Sequence, residues 1–130
     1  MINRITNDEI THVSGNEIFV FGSNLSGLHG GGAAKAAMKW GAIWGNPVGL
    51  QGNTYAIPTK SEGYKRTLTI DEITPYVVEF IKFAEDNPDL RFYVTEIGCG
   101  LAGHKPKDIG PMFSGHQPNV VLPKEFIPYL

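Results

Sequence analysis

The chain has 130 residues, enough for one domain of ordinary size, and 42% of them are apolar, enough to form a core without disulfide or metal staples. Eleven basic residues against 13 acidic ones leave a formal charge of −2 with no long block of like charge, which argues against a broad basic face for nucleic acid. The single cysteine, Cys99, excludes an intramolecular disulfide, and no apolar run approaches the roughly 20 residues needed to cross a bilayer.

In chain order, Met1-Ile2-Asn3-Arg4 lacks the basic-then-apolar pattern of a signal peptide, and a cytoplasmic protein is expected. Ile2, Ile5, Ile10 and Val13 among polar neighbours suggest a short edge strand followed by a turn at Asn7-Asp8. Glu17 to Phe21 reads as a central strand, because Ile18 to Phe21 run without polar alternation, the mark of burial on both faces. Ala33 to Trp40 reads as a short helix with Ala33, Ala37 and Trp40 on one face and Gly41 placed to end it. The span from Gly41 to Gly52 is expected to be an irregular, packed loop carrying Trp44, Val48 and Leu50. Thr54 to Ile57 makes the next strand, closed by Pro58, and delivers Thr59-Lys60-Ser61 at its end.

Thr69-x-x-Glu72 is a capping box, and Ile70, Ile73, Val77, Phe80, Ile81 and Ala84 follow at helical spacing until Asn87-Pro88. Pro75 leaves two starts open: a helix from Thr69 that bends at the proline, or Thr74 as N-cap with Pro75 at the first helical position. Arg91 to Ile97 is the third clear strand, followed by a short helix around Pro106 to Phe113, a strand at Asn119 to Leu122 and a C-terminal turn of helix from Pro123. Strands alternating with helices at this length mean an α/β layered sheet in a single domain spanning residues 1–130.

The stretch Val20 to Ala34 carries the chemistry. It starts as a buried strand and ends in a small-residue helix, so Ser23, Asn24 and the glycine run fall where open α/β sheets bind ligands, beyond the strand's carboxyl end. Gly30-Gly31-Gly32 removes every Cβ from the turn, so backbone N–H groups can converge on an anion at the start of the following helix. A phosphate or diphosphate is the guest this suggests. Nine of the 16 glycines lie between Gly22 and Gly52 and five more between Gly98 and Gly115. Two glycine-rich regions, each following a strand, are expected to form two walls of one site.

Three segments together resemble a macro domain, the ADP-ribose-binding family. Ser23-Asn24-Leu25 through His29-Gly30-Gly31-Gly32-Ala33-Ala34 resembles that family's first ligand loop. Glu9-Ile10-Thr11 is similar to its adenine-contacting Asp-Ile-Thr element, with glutamate in place of aspartate. Tyr55-Ala56-Ile57-Pro58-Thr59-Lys60, and later Thr95-Glu96-Ile97-Gly98-Cys99-Gly100-Leu101, resemble the branch that removes terminal ADP-ribose with a lysine. The resemblance runs from about residue 9 to residue 113. It implies a three-layer α/β/α fold with a mixed, mostly parallel sheet; a monomer is expected. It also implies a site in which Glu9 meets adenine, while the loops Gly30, Gly31, Gly32, Ala33 and Gly98, Cys99, Gly100, Leu101, Ala102 hold the diphosphate. Asn24, His29 and Lys60 would surround the distal ribose, with Lys60 the leading catalytic candidate. Two carboxylates of the family's hydrolytic branches have no counterpart, for Ala102 follows the Gly-Cys-Gly-Leu run and Ala33 follows the glycine triplet. A non-catalytic reader of ADP-ribose, or a binder of another nucleotide or of a protein partner, therefore stands beside the hydrolase.

The residues themselves leave further alternatives. Asn24 can cap the turn or hold a ribose hydroxyl. His29 can be an exposed loop residue or can orient a ribose or water. Lys60 can be a solvated charge, a phosphate clamp, or a nucleophile toward the anomeric carbon; in the last role it needs a proton-transfer partner, and Glu96 and Asp108, the only nearby acids in sequence, are not placed in the site by the sequence. Cys99, between two glycines after a buried strand, reads as a small packed residue. His104 and His116 lack metal-ligand spacing, and no metal or cofactor is expected. Tyr55 and Trp44 read as core, while Phe113 or Leu101 could floor a ribose or adenine.

Overall fold

A computed structural model of the chain describes residues 5–6 and 10–130. Among these residues six strands form one sheet: β1 (Ile5–Thr6), β2 (Glu17–Asn24), β3 (Gly49–Gln51), β4 (Thr54–Lys60), β5 (Arg91–Val94) and β6 (Val120–Pro123). Their order is β1-β6-β5-β2-β4-β3, and every neighbouring pair is parallel except β3 with β4. The expected edge strand near the start is β1; the turn at Asn7-Asp8 lies outside the described residues, as does Glu9.

Side-chain alternation along β2 explains its unbroken apolar run. Ile18 and Val20 enter one core cluster, and Phe19 and Phe21 the other, so both faces of the sheet are covered. The first face is roofed by α2 (Ile70–Asp86), which buries Ile73, Val77, Phe80 and Ala84. Phe80 packs with its ring edge-on to Tyr55 and to Phe92, at centroid distances of 5.0 and 5.3 Å. The second face is roofed by α1 (Gly32–Ala37), whose buried residues are Ala34 and Ala37. The fold is thus a three-layer α/β/α arrangement with a mixed, mostly parallel sheet and a thick layer facing a thin one. Packing through methyl groups lets α1 and the glycine turn before it lie close to the strand ends.

Several local expectations need correction. Pro58 does not close β4, which continues to Lys60. At Pro58 the strand has outrun β3, which pairs only as far as Ala56, and the register with β2 shifts between Ser23 and Asn24, so the missing N–H is absorbed there. Of the two starts left open for α2, the earlier one holds: Thr69 is the N-cap, its side chain and Glu72 complete the capping box, and the helix runs on through Pro75. The Gly41–Gly52 loop contains β3 and is less packed than expected: Trp44 is 57% exposed rather than core, and Leu50 is 45% exposed. β5 stops at Val94, three residues earlier than the apolar pattern suggests, and the helix from Pro106 divides into α3 (Pro106–Ile109) and a 3₁₀ turn through Phe113. No helix of the described residues is long and apolar enough to cross a membrane.

Candidate functional site

β2 occupies the point where the chain's connections diverge: α1 leads through β3 to β4 on one side, and α2 leads back to β5 on the other. The strand ends splay at such a switch point and leave a crevice beyond their carboxyl termini. Here the crevice is a cleft of about 1000 Å³. Gly22, Ser23 and Asn24 from β2, Thr59 and Lys60 from β4, and Thr95, Glu96 and Ile97 after β5 line its base. Gly30 to Ala34 form one wall, Gly98 to Ala102 the other, and Ile10, Thr11, Phe19 and Ala36 complete the lining.

The first wall is shaped by Asn24, which is 2% exposed. Its Oδ1 accepts from the N–H groups of Ser26 and Leu28, both at 3.1 Å, and its Nδ2 donates to the Leu28 carbonyl at 2.9 Å. The side chain therefore acts as a turn cap, with Leu28 taking one of its two amide hydrogens. Gly27 at φ +68° must be glycine, since a Cβ would meet the Gly45 and Asn46 backbone at 2.5 Å. Beyond it, Gly31 is the N-cap of α1 in extended conformation and no side chain caps the helix. The N–H groups of a helix's first turn have no intrahelical acceptor, and here that turn, Gly32 to Ala34, lies on the cleft. The helix has only six residues, so these individual donors matter more than its dipole.

The second wall is a loop closed at its neck. The His104 N–H donates to the Gly98 carbonyl at 2.7 Å, the Gly103 N–H to Gly100 at 3.0 Å, and the Thr67 hydroxyl to the Ala102 carbonyl at 2.6 Å. Gly98 at φ +74° begins the loop, and a Cβ there would crowd Ile109 at 3.2 Å. Leu101 stands at the tip, 83% exposed on the cleft.

The structure brings together most of the residues picked out from the sequence. Asn24, Lys60, Gly30, Gly31, Gly32, Ala33, Gly98, Cys99, Gly100, Leu101 and Ala102 all line the cleft. His29 does not. It is 1% exposed, its ring meets Phe21 edge-on at 5.2 Å, and its Nε2 lies 3.1 Å from the Asn46 carbonyl, so it is packed into the protein and does not line the cleft. Phe113 is likewise unable to floor a ligand, being wholly buried and stacked on Phe126.

Among the described lining residues Lys60 is the one cationic side chain and Glu96 the one carboxylate. Glu96 is the site residue that sequence reasoning named without placing. Its signal was position alone, two residues past the end of β5 in the same relation to the sheet as Asn24 and Lys60. Asp108 does not reach the lining. The Cys99 thiol is pushed up to about 11 by burial first and by Glu96 and Asp108 after it, so it stays protonated at neutral pH and is a poor nucleophile. His104 and His116 bond to the carbonyls of Leu68 and Phe113, and no group of three or more His, Cys, Asp or Glu among the described residues is arranged to hold a metal. Compared with known proteins, the chain matches no family model, no curated protein and no solved structure.

Proposed function

We propose that the cleft binds ADP-ribose or a close NAD-derived nucleotide. One observation carries the reading: two glycine-rich walls face each other across a cleft of nucleotide size, with a single lysine at the strand ends between them. The diphosphate would lie between Gly30–Ala33 and Gly98–Ala102, with the first-turn N–H groups of α1 as its donors on one side; on the other the Cys99 N–H is already given to the Glu96 carbonyl at 3.1 Å. The distal ribose would sit near Asn24 and Lys60. As an enzyme the protein would remove ADP-ribose from a modified protein or nucleic acid. Lys60 would pass a proton to Glu96 as its nitrogen bonds to the anomeric carbon and the bond to the macromolecule breaks, the leaving group taking that proton; water would then hydrolyse the Lys60–ribose bond, freeing ADP-ribose and restoring the lysine. A second reading, a reader without turnover, is favoured by Ala102, which lines the cleft where the lysine branch of the resembled family carries an aspartate.

Calorimetric titration of ADP-ribose into the protein, with AMP as control, tests the binding. Saturable micromolar affinity, about −8 kcal/mol, with AMP much weaker, supports the diphosphate-ribose site; no heat at several temperatures refutes it. Release of ADP-ribose from a modified protein and from modified DNA then separates the two readings. If Lys60→Ala binds ADP-ribose normally and releases none where the wild type does, the hydrolase reading and the role of Lys60 in it stand.

A further inference from the structure

The glycine wall poses a physical problem. Gly30, Gly31 and Gly32 are exposed, and a Cβ on Gly31 or Gly32 would meet nothing within 4 Å, so side-chain packing does not fix Gly31 and Gly32, and the Lys35 N–H, donating to the Gly31 carbonyl at 3.2 Å, secures only the helix side of the run. Three glycines in succession lose more backbone entropy on ordering than any other triplet, and a ligand that must order them binds more weakly for it. The run is flanked by buried residues at both ends. Ala34 is buried against the sheet on one side, and His29 on the other.

His29 is held by a strap, residues 43–47. Its Nε2 and the Nε2 of buried Gln51 approach the same Asn46 carbonyl at 3.1 and 2.9 Å, while Gln51 Oε1 accepts from the Ile43 N–H at 2.7 Å. The Gly45 N–H donates to the Gly27 carbonyl at 2.8 Å, and the Ser23 hydroxyl to the Pro47 carbonyl at 2.6 Å. A carbonyl oxygen can only accept, so the imidazole must carry its proton on Nε2. His29 Nδ1 is buried with no hydrogen-bond partner, as the bare nitrogen of that neutral tautomer would be.

We propose that His29 is a positioning residue for the glycine wall. Its Nε2–H tautomer ties the run Gly30–Gly32 to the Asn46 carbonyl, so that the loop N–H groups are ordered before a ligand arrives. The strap is thereby part of the site although Asn46 and Gln51 do not line it. The inference rests on the nucleotide reading for its binding measurement alone.

Three measurements on the full chain test it. Long-range ¹H–¹⁵N spectra of the wild type report the His29 tautomer without any substitution; protonation on Nε2 is expected, and protonation on Nδ1 overturns the inference. Amide relaxation gives order parameters for Gly30–Gly32: values near those of rigid backbone, about 0.85, are expected in the wild type and in His29→Gln, whose amide can replace the Nε2 donor, and values below about 0.6 in His29→Leu. ADP-ribose affinity should fall roughly tenfold in His29→Leu, the equivalent of one lost hydrogen bond, and stay within about threefold of wild type in His29→Gln. Unchanged order and affinity in His29→Leu overturn the inference, as does a His29→Gln variant as loose as His29→Leu, which would assign the effect to ring packing on Phe21. If the wild type binds no ADP-ribose, the nucleotide reading fails, and the tautomer and order parameters decide the positioning role by themselves.

Discussion

Replacing Asn24 by alanine separates turn formation from ligand contact. Asn24 is buried and its amide serves two backbone N–H groups and one carbonyl within four residues. A net hydrogen bond contributes about 0.5–1.5 kcal/mol, so three lost together should cost about 2–4 kcal/mol, toward the lower end because Ser26 and Leu28 are half-buried and water can reach their freed groups. With a urea dependence of about 1–3 kcal/mol per molar, the unfolding midpoint should drop by about 1–2 M. Asn24→Asp retains both acceptor bonds but loses the donor and sets a carboxylate against the Leu28 carbonyl, so it should fall between alanine and wild type. The assay is urea unfolding of the three proteins followed by ADP-ribose titration of each. A capping residue lowers stability and binding together. Stability of Asn24→Ala within about 0.5 kcal/mol of wild type, with binding alone lost, would refute the capping argument and return Asn24 to the role of a direct ribose contact.

Two further outcomes follow from the charges. The Glu72 carboxyl is lowered from 4.5 to about 2, first by the hydrogen bond from Arg66 and then by the Thr69 N–H. A depressed carboxyl contributes stability above its unfolded value and loses it as pH falls through the folded one, so the stability difference between wild type and Glu72→Gln should be constant above about pH 5 and shrink between about 4.5 and 2. The pair is exposed, and the difference should also shrink with added salt; a difference that persists unchanged at pH 3 would refute the assignment. Cys99, with its thiol raised to about 11, should react slowly with iodoacetamide at pH 7 and accelerate about tenfold per pH unit well beyond pH 8.5, and Cys99→Ser should leave ADP-ribose binding intact. Rapid alkylation at pH 7 would show a thiolate that burial and the neighbouring carboxylates do not permit.

Local chemistry made much of the architecture legible. The run Ile18–Phe21 could only be a strand covered on both faces, Thr69-x-x-Glu72 started a helix whose apolar positions recur at helical spacing, and the polar residues after three strands pointed to one end of the sheet. Those signals sit within a few residues of one another and need no partner to be read. What the tertiary structure decided depends on which segments meet. β3 is a three-residue strand with no pattern of its own, made by pairing with β4. Pro58 looked like a stop because its tolerance depends on where β3 ends, which lies in another segment. Glu96 and Asp108 were indistinguishable as carboxylates until the sheet put Glu96 on the cleft and left Asp108 off it. His29 and Asn24 were both polar residues beside a glycine run, equally suited to face a ligand. Only the return of residues 43–47 across the loop gave His29 a carbonyl to bond and an aromatic ring to pack on, and so turned it away from the cleft it borders in sequence.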